Sequence, residues 1–233
     1  NKLVKRAYSI SSSIIDLQSK ELINQRELKY LEFYINKVKK SNNKEQITPK
    51  LFKLKSGDRL FCGEKIVGHY TFHKENKWEN IVLISTHTGE SPNNSITNQL
   101  LLDKSKLNIT NINVGHNWES LYLQEHKLLE KLFPNYTFIQ FIDDSSNYEI
   151  FTDFINKIDH SKNKNYSNLD FKINKDKTLV MICGDPVLIG APIKKGGWEY
   201  EYPDYGLVNV LTNKSFVMST RFKKGNIICE SYW

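Results

Sequence analysis

The sequence predicts a two-part β plus α/β protein, with an antiparallel β-barrel over residues 1–75 and a doubly wound parallel sheet over residues 76–233. Three observations predict it. Short alternating runs separated by turn residues fill the first part. From Ile81 onward, continuous apolar runs recur of the kind buried on both faces of a parallel sheet. Stretches of helix length separate those runs, which makes a βα repeat.

In the first part, residues 31–38 alternate apolar and polar side chains and include aromatics, the half-buried strand pattern. Residues 41–45 form a polar loop, and Gly57-Asp58 signals a turn. Residues 60–62 and 66–72 read as a strand pair. The shift falls near residue 76. A strand at 81–84 ends in a turn over 85–92, and a helix runs to about 102. Strands follow at 109–114, 136–142 and 178–183, with helices at 119–132 and 149–158 between them. Helices near 184–191 and 205–211 precede a closing strand at 226–232.

Composition narrows the function classes. A chain of 233 residues with 39% hydrophobic and 12% aromatic content has enough apolar material for one large core or two modest ones. The longest apolar runs are too short to cross a bilayer, no signal-peptide pattern is read, and no membrane partner is expected. Cys62, Cys183 and Cys229 include no close pair, so a reducing, cytoplasmic setting is expected. The net charge of +7 invites an acidic partner, although scattered lysines equally make an ordinary solvated surface. His69 and His73 lie four apart, roughly 13 Å in extended chain and too far to share an ion. No metal site is expected. Neither a nucleophile elbow nor a P-loop lysine occurs.

The most informative stretch is Arg6-Ala7-Tyr8-Ser9-Ile10. An arginine offers a planar fork of donors to a pyrophosphate, a tyrosine a flat ring, and a serine a hydroxyl. On residue types alone, an ordinary cross-strand pair with a solvated cation reads as well.

The run resembles the Arg-x-Tyr-Ser flavin signature of the plant-type ferredoxin–NADP reductase superfamily, in particular its bacterial ferredoxin/flavodoxin reductase branch. The likeness recurs in the family's order at residues 31–35, 47–51 and 56–60. It continues at Thr86-His-Thr-Gly-Glu-Ser-Pro92, Cys183-Gly-Asp-Pro186 and Glu230-Ser-Tyr-Trp233. The resemblance implies an FAD-binding barrel, here lacking its amino-terminal strands, ahead of a Rossmann-like NAD(P)-binding domain whose tail returns to the flavin. It implies FAD contacts from Arg6, Ala7, Tyr8, Ser9, Tyr34, Ile35, Asn36, Gln46, Ile47, Thr48, Thr88, Tyr232 and Trp233. It implies NAD(P) contacts from Thr86, Thr88, Gly89, Pro92, Cys183, Gly184, Asp185 and Pro186. Ser9, Cys183 and Glu230 would be the catalytic residues: a hydroxyl near flavin N5, a thiol beside the nicotinamide and a carboxyl for proton exchange. The implied activity passes a hydride between nicotinamide C4 and flavin N5, and single electrons to or from a ferredoxin or flavodoxin.

Two departures stand out. His87 replaces the family's usual first glycine, a position where glycine allows close approach and unusual dihedrals. The histidine either swings outward or narrows the pyrophosphate site. The arginines that hold the 2′-phosphate of NADP are missing from the corresponding stretches at 114–116 and 142–145. Asp143 or Asp144 there could accept from a free ribose hydroxyl, which favours NAD(H) over NADP(H), or could cap the following segment. A degenerate, flavin-binding relative without nucleotide turnover is one rival. A basic nucleic-acid-binding module is another, although its aromatics lie mostly inside apolar strands and no nucleic-acid partner is expected.

Overall fold

A computed structural model of the protein describes residues 6–11, 14–37, 47–63, 65, 68–73, 77–115, 119–142, 174–196, 199–201, 203–220 and 223–232. In chain order its elements are α1 (Thr48–Leu51), β1 (Asn80–Thr86), a 3-10 turn (His87–Gly89), α2 (Glu90–Leu102), β2 (Asn108–Gly115), α3 (Leu123–Leu132) and β3 (Tyr136–Ile142). Then come β4 (Thr178–Gly184), α4 (Pro186–Ile189), β5 (Ile193–Gly196), β6 (Glu199–Glu201), α5 (Gly206–Asn213) and β7 (Ile227–Ser231). The helix expected at 149–158 lies outside the described residues, as do Gln46, Asp143, Asp144 and Trp233.

The apolar runs dictate the sheet. β1 and β4 carry apolar side chains on successive residues, so both faces of each strand must be covered. The result is a five-stranded parallel sheet ordered β3-β2-β1-β4-β7. On one face Ile81, Leu83, Leu179 and Met181 pack with Leu100 of α2 and Leu129 of α3. On the other, Val82, Ile84, Val180 and Ile182 pack with Leu188 of α4 and Leu207 and Leu211 of α5. Helices on both faces make the mixed β and α/β architecture with its Rossmann-like sheet. Strand order reverses between β1 and β4, and doubly wound sheets leave a crevice at that point beyond the strand ends.

The amino-terminal third differs from the alternating-strand expectation. Its described residues show isolated antiparallel bridges, Ser11 with Glu32 and Ile15 with Leu22, rather than ladders. Asp16 closes the turn between Ile15 and Leu22 by accepting the N–H groups of Gln18 and Ser19 at 2.9 and 2.7 Å. Along 31–35 the burial is the reverse of what the apolar pattern suggests. Leu31 is 60% exposed, while Glu32 is half-buried because its carboxylate accepts the Tyr122 hydroxyl. A specific hydrogen bond and one backbone bridge hold that stretch, not its apolar side.

Helix α2 shows how this third attaches. It is buried on most sides, yet its sequence is rich in asparagine, serine and threonine. Ser95 donates to Ile10 O at 3.1 Å, Asn98 donates to Ile14 O at 2.8 Å and Ile23 O at 3.0 Å, and Asn93 accepts from Tyr70 at 2.7 Å. Ile14 and Ile15 enter the same core as β1 and β4, each worth about 2 kcal/mol of transfer free energy. The polar face of α2 is therefore a docking face for backbone carbonyls.

Shorter corrections have local causes. Helix α3 starts at Leu123, not 119, because the Ser120 hydroxyl accepts the Tyr122 N–H at 3.0 Å and holds a turn there. Helix α4 is a single turn, ended by Gly190 in the left-handed conformation (φ 64°). The β5–β6 hairpin, with its Lys195–Glu201 ion pair, was not foreseen.

Candidate functional site at the sheet's carboxyl-terminal edge

Parallel register lines up the strand ends. Ser85 pairs with Cys183, and Cys183 with Glu230, so these side chains form a row on the face that carries α2. At this edge two loops touch backbone to backbone. An added Cβ at Gly89 would come within 2.1 Å of Cys183 O, and one at Gly184 (φ 137°) within 2.1 Å of Thr86 Oγ1. The buried Thr86 hydroxyl accepts the Asp185 N–H at 2.7 Å, which ties the β1 loop to the β4 loop. Asp185 also caps α4, accepting the Val187 N–H at 2.7 Å. Thr88 is half-buried, and Pro92 is buried in the first turn of α2.

His87 takes φ 47°, the left-handed region that glycine would occupy freely. The histidine is half-buried rather than swung fully into solvent. Holding a side chain there costs about 1 kcal/mol.

The amino-terminal motif arrives at the same edge. Ser9 Oγ hydrogen-bonds Tyr232 Oη, although the two are 223 residues apart. Tyr232 in turn hydrogen-bonds the Cys183 thiol, and its N–H donates to Gly184 O at 2.9 Å. Tyr8 Oη lies 3.0 Å from Thr48 Oγ1, which joins the Arg6-Ala7-Tyr8-Ser9 run to the start of α1. Arg6 and Ala7 are exposed, and Ile47 is half-buried. Tyr34 meets Tyr122 edge to face at 6.4 Å, with Ile35 half-buried and Asn36 exposed beside it. Pro186 opens α4 next to Gly184.

Burial sets the protonation of the cluster. It pushes the Cys183 thiol well above the usual range and Cys229 up to about 11. It also raises the Glu230 carboxyl, with His69 opposing. Glu230 therefore keeps its proton to a higher pH than a solvated carboxyl does. Cys183 is 0% exposed and Cys62 is exposed. At pH 8 a thiol reagent should titrate one cysteine of the native protein quickly and all three after denaturation. Cys229 is half-buried with its thiol pushed up to about 11, so fast labelling of Cys183 in the native state, mapped on peptides, is the result that would contradict this burial.

Sequence reasoning missed the polar contacts around α2 and α3: Tyr122 with Glu32 and Ser11, Tyr70 with Asn93, and the buried Glu90, His126 and Tyr136. Glu90 alone carried a signal, a charged residue directly after Gly89 at the start of a nucleotide-type helix.

A doubly wound sheet with touching loops at its switch point defines the class: an α/β protein in which Thr86–Gly89 and Cys183–Pro186 meet at the edge where such sheets bind their ligands. No family model matches the chain. It is 27% identical over 239 residues to the flavodoxin/ferredoxin–NADP reductase of Buchnera aphidicola subsp. Schizaphis graminum (strain Sg), covering 100% of the chain and 79% of that protein. It is 23% identical over 235 residues to the protein of the same name from Buchnera aphidicola subsp. Baizongia pistaciae (strain Bp), covering 100% and 82%. Among solved structures, a ferredoxin NADP+ reductase from Neisseria gonorrhoeae with bound FAD and NADP aligns at a TM-score of 0.64 and 17% identity. That alignment covers 97% of this chain and 79% of the other. At the level of the superfamily, the chain matches the flavodoxin/ferredoxin–NADP reductases. Among the described residues, no helix is long and apolar enough to cross a membrane.

Proposed function

We propose that the protein is an FAD-dependent reductase that exchanges electrons between NAD(P)H and a ferredoxin or flavodoxin. One observation carries this reading: Ser9, from the flavin-type run, and Tyr232, just after the terminal strand, meet beside Cys183 at the carboxyl-terminal edge of the parallel sheet. Residues 1–75 would be the flavin side, built on an antiparallel barrel, and residues 76–233 the dinucleotide side. The FAD and NAD(P) contacts that the resemblance implies are part of the proposal.

The donor set suits a flavin dinucleotide. Arg6 offers an exposed cation for a pyrophosphate, Tyr8 and Tyr232 offer ring faces, and Ser9 and Thr48 offer hydroxyls. When bound, the flavin supplies both hydride and single-electron chemistry. The chain supplies the rest. Thr86, Gly89 and Gly184 hold the two loops against each other and would present the start of α2 to a pyrophosphate. Tyr232 lies against the buried Cys183 thiol and would have to give way for a nicotinamide ring to stack there. Cys183, with its pKa raised by burial, stays a neutral thiol that shapes the pocket and does not attack. Glu230, whose carboxyl burial raises above its ordinary range, would be the group for proton exchange beside it. The net charge of +7 suits an acidic electron carrier, with on-rates that fall as salt rises.

A second reading is a flavin-binding relative without nucleotide turnover, favoured by the half-buried His87 at a position suited to glycine. One experiment separates the readings. The purified protein is loaded with FAD, and its spectrum is followed under argon as NADPH or NADH is added. The reductase reading requires a flavin spectrum that bleaches. A spectrum that persists leaves the second reading, and no bound flavin overturns both.

A further inference from the structure

Three consecutive residues of the amino-terminal segment are each tied to a different element of the α/β half. Ser9 bonds to Tyr232 after β7, and Ile10 O accepts from Ser95 of α2 at 3.1 Å. The Ser11 hydroxyl lies 2.8 Å from that of Tyr122, at the start of α3. This third tie also reaches a second amino-terminal stretch. Tyr122 is 9% exposed, its O–H donates to Glu32 Oε1 at 2.5 Å, and its ring meets Tyr34 edge to face. Between the same two stretches, the described residues show one backbone bridge, the Ser11 N–H donating to Glu32 O at 2.8 Å.

The two hydroxyl bonds have a fixed direction. A phenol carries one proton, and Tyr122 gives it to Glu32, so the Ser11 O–H donates to the Tyr122 oxygen. Burial, with the Glu32 bond, raises the Tyr122 hydroxyl above its ordinary range and keeps that proton in place. The backbone of Tyr122 is fixed as well. Its N–H donates to Ser120 Oγ at 3.0 Å, and its carbonyl accepts the His126 N–H at 2.9 Å as the first bond of α3. The side chain thus carries the position of a helix into the join between residues 6–11 and residues 32–36.

We propose that Tyr122 is a positioning residue for FAD: without touching the cofactor, it sets the spacing between residues 6–9 and residues 34–36, the two stretches that would line the flavin. The inference rests on the reductase reading and deepens it. With the Tyr122 hydroxyl gone, the two stretches separate more freely in the empty protein. Flavin binding must then supply their ordering, and the cost appears as lost affinity.

The test is Tyr122→Phe in the full chain stripped of FAD, reading the Kd for FAD from the quenching of flavin fluorescence and the urea midpoint of unfolding. The ring and its contact with Tyr34 stay, and the Kd should rise about tenfold, the scale of one net hydrogen bond. Tyr136→Phe is the control, because it removes a buried hydroxyl 2.7 Å from His126 Nδ1 on the same helix. Both variants should lower the urea midpoint, but Tyr136→Phe should bind FAD within about threefold of wild type. A Tyr122→Phe protein that is less stable yet binds FAD within that range overturns the inference, and so does equal weakening by both variants. Glu32 supplies the second arm. In Glu32→Gln the amide oxygen still accepts the phenol proton, so FAD affinity should stay near wild type, whereas Glu32→Ala should be as weak as Tyr122→Phe. Glu32→Gln as weak as Glu32→Ala would assign the effect to the carboxylate and overturn the role of Tyr122. If Tyr122→Phe does not fold, the two Glu32 variants decide by the same comparison. Wild-type protein that binds no FAD overturns the reductase reading and this inference with it. Wild-type binding with Tyr122→Phe equally tight overturns this inference alone.

Discussion

Gly184→Ala is expected to destabilise the protein by about 3–5 kcal/mol and to abolish the close contact between the β1 and β4 loops. Two costs add. The added Cβ would sit 2.1 Å from Thr86 Oγ1, 2.8 Å from Thr86 O and 2.9 Å from Thr86 N, and two of those three atoms are backbone that cannot rotate away. The residue also holds φ 137°, a conformation that side chains rarely adopt. Relief requires β4 to shift against β1, and that breaks the Thr86–Asp185 hydrogen bond. Gly57→Ala is the control. Gly57 also has positive φ (92°), but no atom lies within 4 Å of its would-be Cβ, so only the dihedral cost of about 1 kcal/mol remains. Urea unfolding of the two variants beside wild type measures the difference. Equal midpoints for the two would mean that the loops do not touch as described.

The sheet was legible for a physical reason. When helices cover both faces, the central strands are mostly apolar on successive residues, and runs such as those of β1 and β4 read directly from the sequence. The strand expected at 136–142 falls on Tyr136–Ile142, an edge strand in which buried Tyr136, Ile139 and Phe141 are mixed with more exposed residues. The first third was harder to read. Its alternation at 31–35 suggested an apolar face, but alternation reports a half-buried surface and says nothing about which hydrogen bonds secure it. Here the Glu32–Tyr122 bond turned the polar side inward. Helix α2 shows the opposite failure. Its polar residues suggest a solvated surface, yet Ser95 and Asn98 are spent on carbonyls of the segment that covers them. Hydrogen bonds between residues far apart in sequence leave no periodic trace, so the Ser9–Tyr232 and Glu90–His126 contacts had to come from the coordinates. The catalytic set drawn from motif resemblance is gathered at one edge: Cys183 and Glu230 are neighbours in register, and Ser9 reaches them through Tyr232.

That gathering leads to the second large effect. In the FAD-loaded protein, Tyr8→Ala is expected to weaken flavin binding about 10²-fold or more. A tyrosine face against a flat heteroaromatic ring removes on the order of 100 Å² of apolar surface from water, about 2.5 kcal/mol, and stacking adds roughly 1 kcal/mol. Together these correspond to a few hundredfold in Kd. The structure gives the ring a defined place from which to act. Its hydroxyl is held 3.0 Å from Thr48 Oγ1, and the neighbouring Ser9 is fixed through Tyr232 to the end of β7. Tyr8→Phe separates the ring from the hydroxyl. It loses the Thr48 bond but keeps the ring face, so its affinity should stay within about tenfold of wild type. The readout is the ratio of flavin to protein absorbance after gel filtration, together with a titration of free FAD into stripped protein. If Tyr8→Ala keeps a full complement of FAD, the ring does not lie against the flavin. If Tyr8→Phe is as weak as Tyr8→Ala, the hydroxyl and its tie to Thr48 are what matter, and the stacking role assigned to Tyr8 is wrong.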